Sequence, residues 1–228
     1  MFVFNQEIAR EIVLVARLLY DKGLANAFEG NVSIAHGEEV YITPSAVCKG
    51  FLQPEQIVVI DRQGAILHAD QVRPSSEYRL HLALYAARPD VHGIVHAHPP
   101  YCTAFAVAGR EIYADSYAEA LALFHKIPLA PYGLPSTDAI WQGIIPFLPD
   151  YDIVLMANHG MVAVGPDVRQ AYYRLESAES IAKVLILSEA LSGPKALPPE
   201  EVESLAVMHA RLRPAPTTPD RQSGTTDT

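Results

Sequence analysis

Three histidines carry the clearest chemical signal in this sequence. His96 and His98 flank a single alanine at the end of an apolar run, and His159 ends a second apolar run later in the chain. Successive side chains of a strand point to opposite faces, so residues two apart share a face and both imidazoles of the pair can reach one ion. If His159 comes from a neighbouring strand end, three neutral nitrogens would form a site for a zinc-like divalent cation, with a position open for substrate.

The histidine pair also has a simpler interpretation, since a histidine at a strand end is often satisfied by ordinary hydrogen bonds. Two imidazoles side by side on a buried strand, however, leave polar atoms that need partners. We therefore predict that His96, His98 and His159 bind a metal ion. The remaining histidines lack such a pairing, and we interpret them as surface or packing residues: His36, His68, His81, His92, His125 and His209.

An acidic residue, Glu77, is the candidate partner of that ion. It follows Ser75 and Ser76 where a helix is predicted to begin, with serine as the N-cap and the acid in the first turn. Such an acid can simply interact favourably with the helix dipole. Beside a metal, the same carboxylate could be a fourth ligand or a general base, with a pKa that responds strongly to the cation.

Turns rich in hydroxyl and amide groups form a second candidate site. Segments 30–33 (Gly-Asn-Val-Ser) and 43–45 (Thr-Pro-Ser) are first of all expected to be turns between strands. Together with the two serines before Glu77, whose helix start offers free amides, they would also suit a phosphate group. Glu29 would repel that phosphate if it pointed inward, so it must point away or form an ion pair, for which Lys49 is the candidate.

The apolar pattern along the chain predicts the elements that position these residues. Ile8, Ile12, Val15 and Leu19 recur at helical spacing and Gly23 follows as a stop, which predicts a first amphipathic helix. Strands are predicted over residues 32–35, 40–43, 57–61, 65–68, 91–98, 112–114, 127–131, 153–158 and 161–164. Further helices are predicted over residues 75–88, 101–107, 137–147, 166–191 and 198–211.

Length and composition favour one folded unit. The chain has 228 residues, about half of them hydrophobic, which is enough for one large core. We predict a single domain over residues 1–213 and a disordered tail over residues 214–228, where Pro, Thr, Asp and Gly are frequent. Charged residues interrupt the first apolar pattern, which argues against a signal peptide or a membrane span: Glu7, Arg10, Glu11 and Arg17.

Charge and cysteine content limit the partners. A net charge of −9 argues against binding to nucleic acid, because no basic stripe is present to neutralise phosphates. A discrete phosphate on a small molecule stays compatible with this charge, because loops and helix starts bind phosphate without net positive charge. Cys48 and Cys102 give no disulfide framework and fit a reducing cytosol.

Five short motifs occur in the order in which the class II aldolase/adducin family has them. They are GNVS at 30–33, ITPS at 42–45, SSE at 75–77, HAHP at 96–99 and NHG at 158–160. On these motifs the chain closely resembles that family, over residues 7–207. The resemblance implies an α/β fold of three layers, α/β/α, around a central, largely antiparallel sheet. It also implies a homotetramer with active sites between subunits.

The resemblance also implies roles for individual residues. His96, His98 and His159 would hold one zinc ion per subunit, and Glu77 would lie near the metal, be displaced by substrate and then act as acid and base. Phosphate binding would fall to Gly30, Asn31, Ser45, Ser75 and Ser76. Counting back from Ala-Pro-Tyr at 130–132 places Tyr117 at the position of a catalytic tyrosine that reaches into a neighbouring subunit's site. Imidazole and carboxylate ligands also suit manganese and cobalt.

Two departures from the family pattern concern the substrate. Ala46 follows Ser45 where the aldolases of the family usually have glycine, which would tighten the phosphate loop. Residues 208–213 contain no tyrosine, although the C-terminal segment contributes to the site in relatives. The aldehyde partner therefore stays open.

The resemblance implies a metal-dependent aldolase that cleaves a ketose 1-phosphate into dihydroxyacetone phosphate and a short aldehyde. Two other reactions of the family, 4-epimerisation of a pentulose 5-phosphate and dehydration of a sugar phosphate, would keep the metal. Segment 113–123, with Asp115 and Tyr117, is closer to the aldolase pattern than to the epimerase pattern. A non-enzymatic, adducin-like interaction module is the third alternative, which the presence of all three histidines and Glu77 disfavours.

Overall fold

The structure is a computed structural model that describes residues 2–212. The predicted disordered tail, residues 214–228, lies outside the described residues. The helices are α1 (Gln6–Asp21), α2 (Tyr78–Ala87), α3 (Pro100–Val107), α4 (Ala118–Phe124), α5 (Asp138–Ile144), α6 (Val168–Glu189) and α7 (Pro199–Leu212). The strands are β1 (Asn31–His36), β2 (Glu39–Ile42), β3 (Val58–Asp61), β4 (Ile66–His68), β5 (Gly93–Ala97), β6 (Ile112–Tyr113), β7 (Lys126–Ile127), β8 (Leu129–Ala130), β9 (Ile153–Met156) and β10 (Gly160–Gly165).

A sheet of eight strands forms the middle layer. Its order is β4-β3-β2-β1-β5-β10-β9-β8, and every neighbouring pair is antiparallel except β8 and β9. The central strands β1, β5 and β10 lie side by side, with Asn31 opposite His96 and His96 opposite Val162. This arrangement confirms the largely antiparallel sheet expected from the sequence.

Helices cover both faces of this sheet. Val32 and Ile34 of β1 contribute to an apolar cluster that includes buried residues of α1, α3 and α6. Ala35, on the opposite face of the same strand, belongs to a second cluster with α2 and α5. The alternation of strand side chains thus builds two cores, one on each side of the sheet, and the three-layer α/β/α architecture is confirmed.

Local sequence explains the first helix. The Asn5 side chain accepts hydrogen bonds from the backbone N–H groups of Glu7 and Ile8, which caps the N-terminus of α1. Its apolar residues, among them Ile12 and Leu19, are buried, and Gly23 ends the segment in the left-handed conformation with φ 68°. No helix in the described part of the chain is long and apolar enough to cross a membrane.

The irregular stretch between residues 110 and 147 differs most from the sequence-based expectation. Helix α4 was not expected, because seven residues are too few to show a helical period. The strand expected over 127–131 is divided at Pro128, since β7 pairs with β6 and β8 with β9. The helix expected over 137–147 stops at Ile144 and continues as a 3₁₀ turn over Ile145–Phe147, where Pro146 has no N–H to donate.

A buried arginine at the end of α2 ties this helix to the sheet. Arg88 forms ion pairs with Asp90 at 2.7 Å and Asp152 at 3.1 Å, and it donates a hydrogen bond to the Leu148 carbonyl at 2.6 Å. Its side chain is only 11% exposed. Removing Arg88 would leave the Leu148 carbonyl without this donor, Asp90 without this cation, and Asp152 with the ion pair that Arg174 makes at 3.0 Å, which is costly because these groups are partly desolvated.

We therefore expect Arg88→Met, which keeps the apolar stem, to lower the free energy of unfolding by about 3 kcal/mol. Urea denaturation followed by circular dichroism measures the change. Arg79→Met, on the exposed side of the same helix, is the matched control and should change stability by less than about 0.5 kcal/mol. Equal denaturation midpoints for the two variants would contradict a structural role of the Arg88 ion pairs.

Candidate metal centre

The three histidines of the sequence motifs converge at one end of the sheet. His96 lies on β5, His98 follows that strand, and His159 lies in the turn that joins β9 to the neighbouring β10. The three pairs of ring centroids are 4.8–4.9 Å apart, and one ligand nitrogen from each ring lies within 4.8 Å of the others. The convergence expected from the two apolar runs is thus present, and the ligand roles stay predictions.

A tight turn places His159. The backbone N–H of His159 donates to the Met156 carbonyl at 3.0 Å, and Asn158 adopts a left-handed conformation with φ 57°. Asparagine tolerates this conformation better than most residues. The Asn158 N–H also donates to the Ala106 carbonyl of α3, which fixes the turn against that helix.

Two glycines leave the space that the cluster occupies. A Cβ atom on Gly160 would lie 2.5 Å from Cδ2 of His98 and 2.7 Å from the Ala97 carbonyl oxygen. Gly30 has φ 72°, and a Cβ atom there would lie 2.8 Å from the carbonyl oxygen of His96. Both glycines are therefore required by the close approach of neighbouring backbone and imidazole.

The hydrogen bonds of His96 leave one of its nitrogens for a ligand. Its Nδ1 lies 2.8 Å from the Met161 carbonyl, to which it must donate, so Nε2 is the nitrogen whose lone pair can bind an ion when the ring is neutral. This Nε2 is 3.2 Å from Nε2 of His98. Two imidazole nitrogens bound to one tetrahedral zinc lie about 3.3 Å apart, given zinc–nitrogen bonds of about 2.0–2.1 Å. The spacing fits a shared cation.

The Glu77 carboxylate faces these imidazoles. Its Oε2 accepts a hydrogen bond from Nδ2 of Asn31 at 2.9 Å and lies 3.2 Å from Nε2 of His96. Its Oε1 lies 3.6 Å from Nε2 of His159 and, although buried, has no hydrogen-bond partner. A buried carboxylate oxygen without a partner is costly, and a cation between the three rings would supply one.

The position of Glu77 corrects one expectation about the helix start. Glu77 is itself the N-cap residue of α2, with no side-chain cap, instead of an acid in the first turn behind a serine cap. Ser75 Oγ accepts a hydrogen bond from the Glu77 N–H, at 3.3 Å, before the helix begins. The carboxylate is turned toward the histidines, so interaction with the helix dipole does not explain its placement.

Without an ion, the electrostatics of the cluster place a positive His96 beside an ionised acid. Burial lowers the pKa of His96, but the charge and hydrogen bond of Glu77 outweigh burial and raise this pKa. Burial raises the pKa of Glu77, but the charge and hydrogen bond of His96, with smaller contributions from Asn31 and His159, outweigh burial and hold this pKa well below its usual range. Burial, reinforced by the charge on His96, lowers the pKa of His98 to about 3 and that of His159 to about 4. Both rings are therefore neutral at neutral pH, as metal binding requires.

The candidate phosphate-binding turns also meet. The Ser76 N–H donates to Ser45 Oγ at 3.2 Å, and the Ser75 N–H donates to the Thr43 carbonyl at 3.1 Å. Ala46 has φ 57°, a conformation that favours glycine, which is the residue the resemblance led us to expect there. The two hydroxyl-rich turns thus form one surface next to Glu77.

Glu29 and Lys49 do not form the ion pair suggested as one of two possibilities. Oε2 of Glu29 lies 3.6 Å from Nδ1 of His98. Lys49 is buried, its ammonium group donates to the Val47 carbonyl at 3.2 Å, and burial lowers its pKa. The Glu29 carboxylate therefore lies at the edge of the histidine cluster.

Tyr117 is not hydrogen-bonded to this cluster in the described part of the chain. It is the N-cap residue of α4 and packs, half-buried, against the apolar cluster around α1, α3 and α6. Within the described residues it shares no hydrogen bond with the three histidines or Glu77. The catalytic role of Tyr117 and its reach into a neighbouring subunit's site stay predictions.

The sequence pattern gives His81 only a surface or packing role and does not indicate its polar contacts. His81 is completely buried, and its ring bridges Asn31 and Ser33 on β1. The available signal was the spacing of four residues between Glu77, His81 and Tyr85, which puts three polar side chains on one face of a helix.

Comparison with known proteins agrees with this geometry. Residues 10–186 match the family described as Class II Aldolase and Adducin N-terminal domain. The chain belongs to this family. Because the family unites aldolases and adducin domains, membership alone does not name a reaction.

Relatives and solved structures are similar along nearly their whole length. The chain is 33% identical over 207 residues to a 5-deoxy-D-ribulose 1-phosphate aldolase of Bacillus thuringiensis serovar kurstaki, an alignment that covers 88% of this chain and 94% of the relative. It is 31% identical over 209 residues to the L-fuculose phosphate aldolase of Escherichia coli K12, covering 92% and 95%. A solved L-fuculose 1-phosphate aldolase superposes with a TM-score of 0.81 at 27% identity, covering 89% and 96%.

We expect loss of any one histidine of the cluster to weaken zinc binding by more than about 100-fold, because a three-nitrogen site then keeps only two nitrogens. Equilibrium dialysis of His98→Ala and His159→Ala against zinc with a competing chelator measures this effect. His36→Ala, at an exposed position, is the control and should bind like the parent protein. Equal zinc affinity of all the variants would exclude the cluster as the binding site.

The Gly160→Ala variant tests whether the position of His98 depends on the space that this glycine leaves. The added methyl group has to displace the imidazole, because the other close atom belongs to the backbone. Zinc affinity should fall about 10- to 100-fold, as for a change in the surroundings of a ligand. Gly109→Ala is the control for destabilisation: no atom lies within 4 Å of its new Cβ, and its cost is the strain of alanine at φ 67°, which should leave zinc affinity unchanged. Unchanged zinc binding by Gly160→Ala would show that His98 is not held by this contact.

Proposed function

We propose that the protein is a zinc-dependent aldolase that cleaves a ketose 1-phosphate, such as L-fuculose 1-phosphate, into dihydroxyacetone phosphate and an aldehyde. The observation that carries the proposal is the Glu77 carboxylate, which is buried against three imidazoles with one oxygen unpaired. The names of two relatives, a fuculose phosphate aldolase and a deoxyribulose 1-phosphate aldolase, support the same substrate class.

The metal in this proposal would be held by His96, His98 and His159. When bound, it would act as a Lewis acid that stabilises the negative charge of an enediolate on the substrate oxygens. Three imidazoles suit zinc, and manganese or cobalt would suit the same donors. Glu77 would be a fourth ligand until substrate displaces it.

Glu77 has the position of the proton carrier. Its Oε2 is occupied by the Asn31 amide, so Oε1 is the oxygen free to move a proton. In the cleavage direction this group would deliver the proton to C3 of the enediolate, and in the reverse direction it would remove it. The apolar core beneath the site would keep bulk water from that exchange.

Tyr117 would exchange a proton with the C4 oxygen of the substrate, from a neighbouring subunit. With the resemblance we propose a homotetramer with sites at subunit interfaces. The phosphate would be bound by Gly30, Asn31, Ser45, Ser75 and Ser76. We propose no nucleic-acid or membrane partner, and a cytoplasmic location that fits the free thiols Cys48 and Cys102.

The two other reactions of the family would leave different products. A 4-epimerase would return an isomeric sugar phosphate, and a dehydratase would release water without breaking the carbon chain. An interaction module would show no turnover and no stoichiometric metal. The buried carboxylate among three imidazoles favours the enzymatic alternatives over the module.

Cleavage assays with L-fuculose 1-phosphate and 5-deoxyribulose 1-phosphate test the proposal through their products. We expect dihydroxyacetone phosphate and an aldehyde, complete loss of cleavage after chelation, and recovery with zinc. Glu77→Gln should lower kcat by about 10²- to 10⁴-fold, because the amide cannot carry the proton. Glu189→Gln, exposed at the end of α6, is the control. Full activity of both the chelated protein and Glu77→Gln would overturn the mechanism.

A further inference from the structure

A row of buried hydrogen bonds leads from Glu77 into the core. Oε2 of Glu77 contacts Nδ2 of Asn31 at 2.9 Å, and Oδ1 of Asn31 contacts Nε2 of His81 at 2.5 Å. Nδ1 of His81 contacts Ser33 Oγ at 2.6 Å, and Ser33 Oγ contacts the Tyr85 hydroxyl at 2.7 Å. All five side chains are buried, His81 and Ser33 completely.

The spacing of polar side chains along α2 matches their spacing along β1, which brings the five groups into one row. Glu77 is the N-cap residue of α2, and His81 and Tyr85 lie within the helix. The three are spaced by four residues, a rise of about 6 Å per step. Asn31 and Ser33 are spaced by two residues on β1, a rise of about 6.6 Å. Because the two steps nearly match, polar side chains of the helix and the strand alternate along one line between the layers.

The chemistry of the groups fixes the direction of every hydrogen bond. An ionised Glu77 can only accept, so Asn31 must donate its amide N–H and present its carbonyl oxygen to the other side. That oxygen can only accept, so His81 carries its proton on Nε2 and has a bare Nδ1. Ser33 then donates to Nδ1 and accepts from the Tyr85 hydroxyl. Every polar atom in the row then has a partner except Oε1 of Glu77.

The direction of these hydrogen bonds matters because an asparagine side chain can rotate by half a turn, which exchanges the positions of its amide nitrogen and oxygen. A reversed Asn31 would place its carbonyl oxygen against the Glu77 carboxylate, where two acceptors repel, and its amino group against the Nε2–H of His81. The Nε2–H of His81 therefore selects the orientation in which Asn31 donates to Glu77. Burial lowers the pKa of His81 to about 3, with a further contribution from the charge on His96, so the ring stays neutral.

We propose that His81 is a positioning residue: as the neutral Nε2–H tautomer, with its Nδ1 accepting from Ser33, it orients Asn31 and thereby holds Glu77 with Oε1 toward the three histidines. Its effect on turnover rests on the proposed function, whereas its tautomer and its hold on Asn31 do not. An apolar side chain at position 81 would fill the same space without burying polar groups, as Leu80 and Leu84 do in the same helix.

The first measurement is independent of any reaction. In protein labelled with ¹⁵N-histidine, two-dimensional ¹⁵N–¹H spectra distinguish the two neutral tautomers, and His81→Gln identifies the signals of residue 81. We expect the Nε2–H tautomer in the parent protein at pH 7 and also in Ser33→Ala, because the Asn31 carbonyl oxygen still accepts from Nε2–H in that variant. An Nδ1–H or charged ring in the parent protein would overturn the inference.

The second measurement separates positioning from stability. His81→Leu should lower kcat for the ketose 1-phosphate at least 10-fold and leave KM within about 3-fold, because only the orientation of the proton carrier changes. His81→Gln, whose amide N–H can reach Asn31, should restore kcat to within about 3-fold of the parent value. Leu84→Val, which removes a methylene group from the same buried helix face, is the control for destabilisation and should keep kcat.

The outcomes distinguish the inference from the proposed function. If the parent protein cleaves no ketose 1-phosphate, the proposed function fails and the tautomer of His81 still decides the inference. If the parent protein is active and His81→Leu keeps full kcat, or if Leu84→Val loses as much kcat as His81→Leu, positioning by His81 is excluded. Loss of kcat in His81→Leu with recovery in His81→Gln supports it.

Discussion

A carboxylate buried among three imidazoles needs compensating positive charge, and the structure is arranged around that need. Glu77 is almost completely shielded from water, and only one of its two oxygens has a hydrogen-bond donor. The His96 ring is the nearest source of positive charge in the protein itself, and its hydrogen bond to the Met161 carbonyl directs the other nitrogen at Glu77. A divalent cation shared by the rings would satisfy the same carboxylate more completely.

The order of strands in the sheet fixes the positions of the residues around this carboxylate. Strands β1, β5 and β10 are neighbours, so Asn31, His96 and the turn that holds His159 meet at one end of the sheet. Glycines stand where an imidazole or a carbonyl comes too close for a side chain, at Gly30 and Gly160. Helix α2 completes the site from one layer, because its N-terminus delivers Glu77 and its next turns deliver His81 and Tyr85.

Family membership and local geometry answer different questions. The fold and the family follow from the whole chain, and they are shared by aldolases and adducin domains alike. The reaction depends on a few side chains, namely whether a proton carrier faces a cation site and whether a second proton donor reaches the substrate. For the first condition, one chain brings the Glu77 carboxylate against His96 and His159. For the second, the candidate is Tyr117, which within the described residues has no hydrogen bond to these groups.

The periodicity of apolar residues predicted most of the helices and strands, but it did not predict the shortest ones correctly. The strands that carry the histidines and the long helix α6 are apolar runs of clear period, so their existence and order were predicted. Helix α4 and the divided strand around Pro128 were not, since two to seven residues carry too little pattern. Expecting serine to cap α2 was wrong, because the cap position is occupied by Glu77, whose side chain faces His96 and His159 instead.

The sequence by itself determined which residues can do chemistry: the spacing of His96 and His98 on one strand face, the acid after two serines, and the glycines of the surrounding motifs. Only the tertiary structure decided which of them meet and how they are oriented. The position of His159 against the pair depends on strand order, which no local pattern encodes. The burial of His81 and the orientation of Asn31 depend on how α2 lies across β1, because hydrogen bonds between distant segments are set by packing.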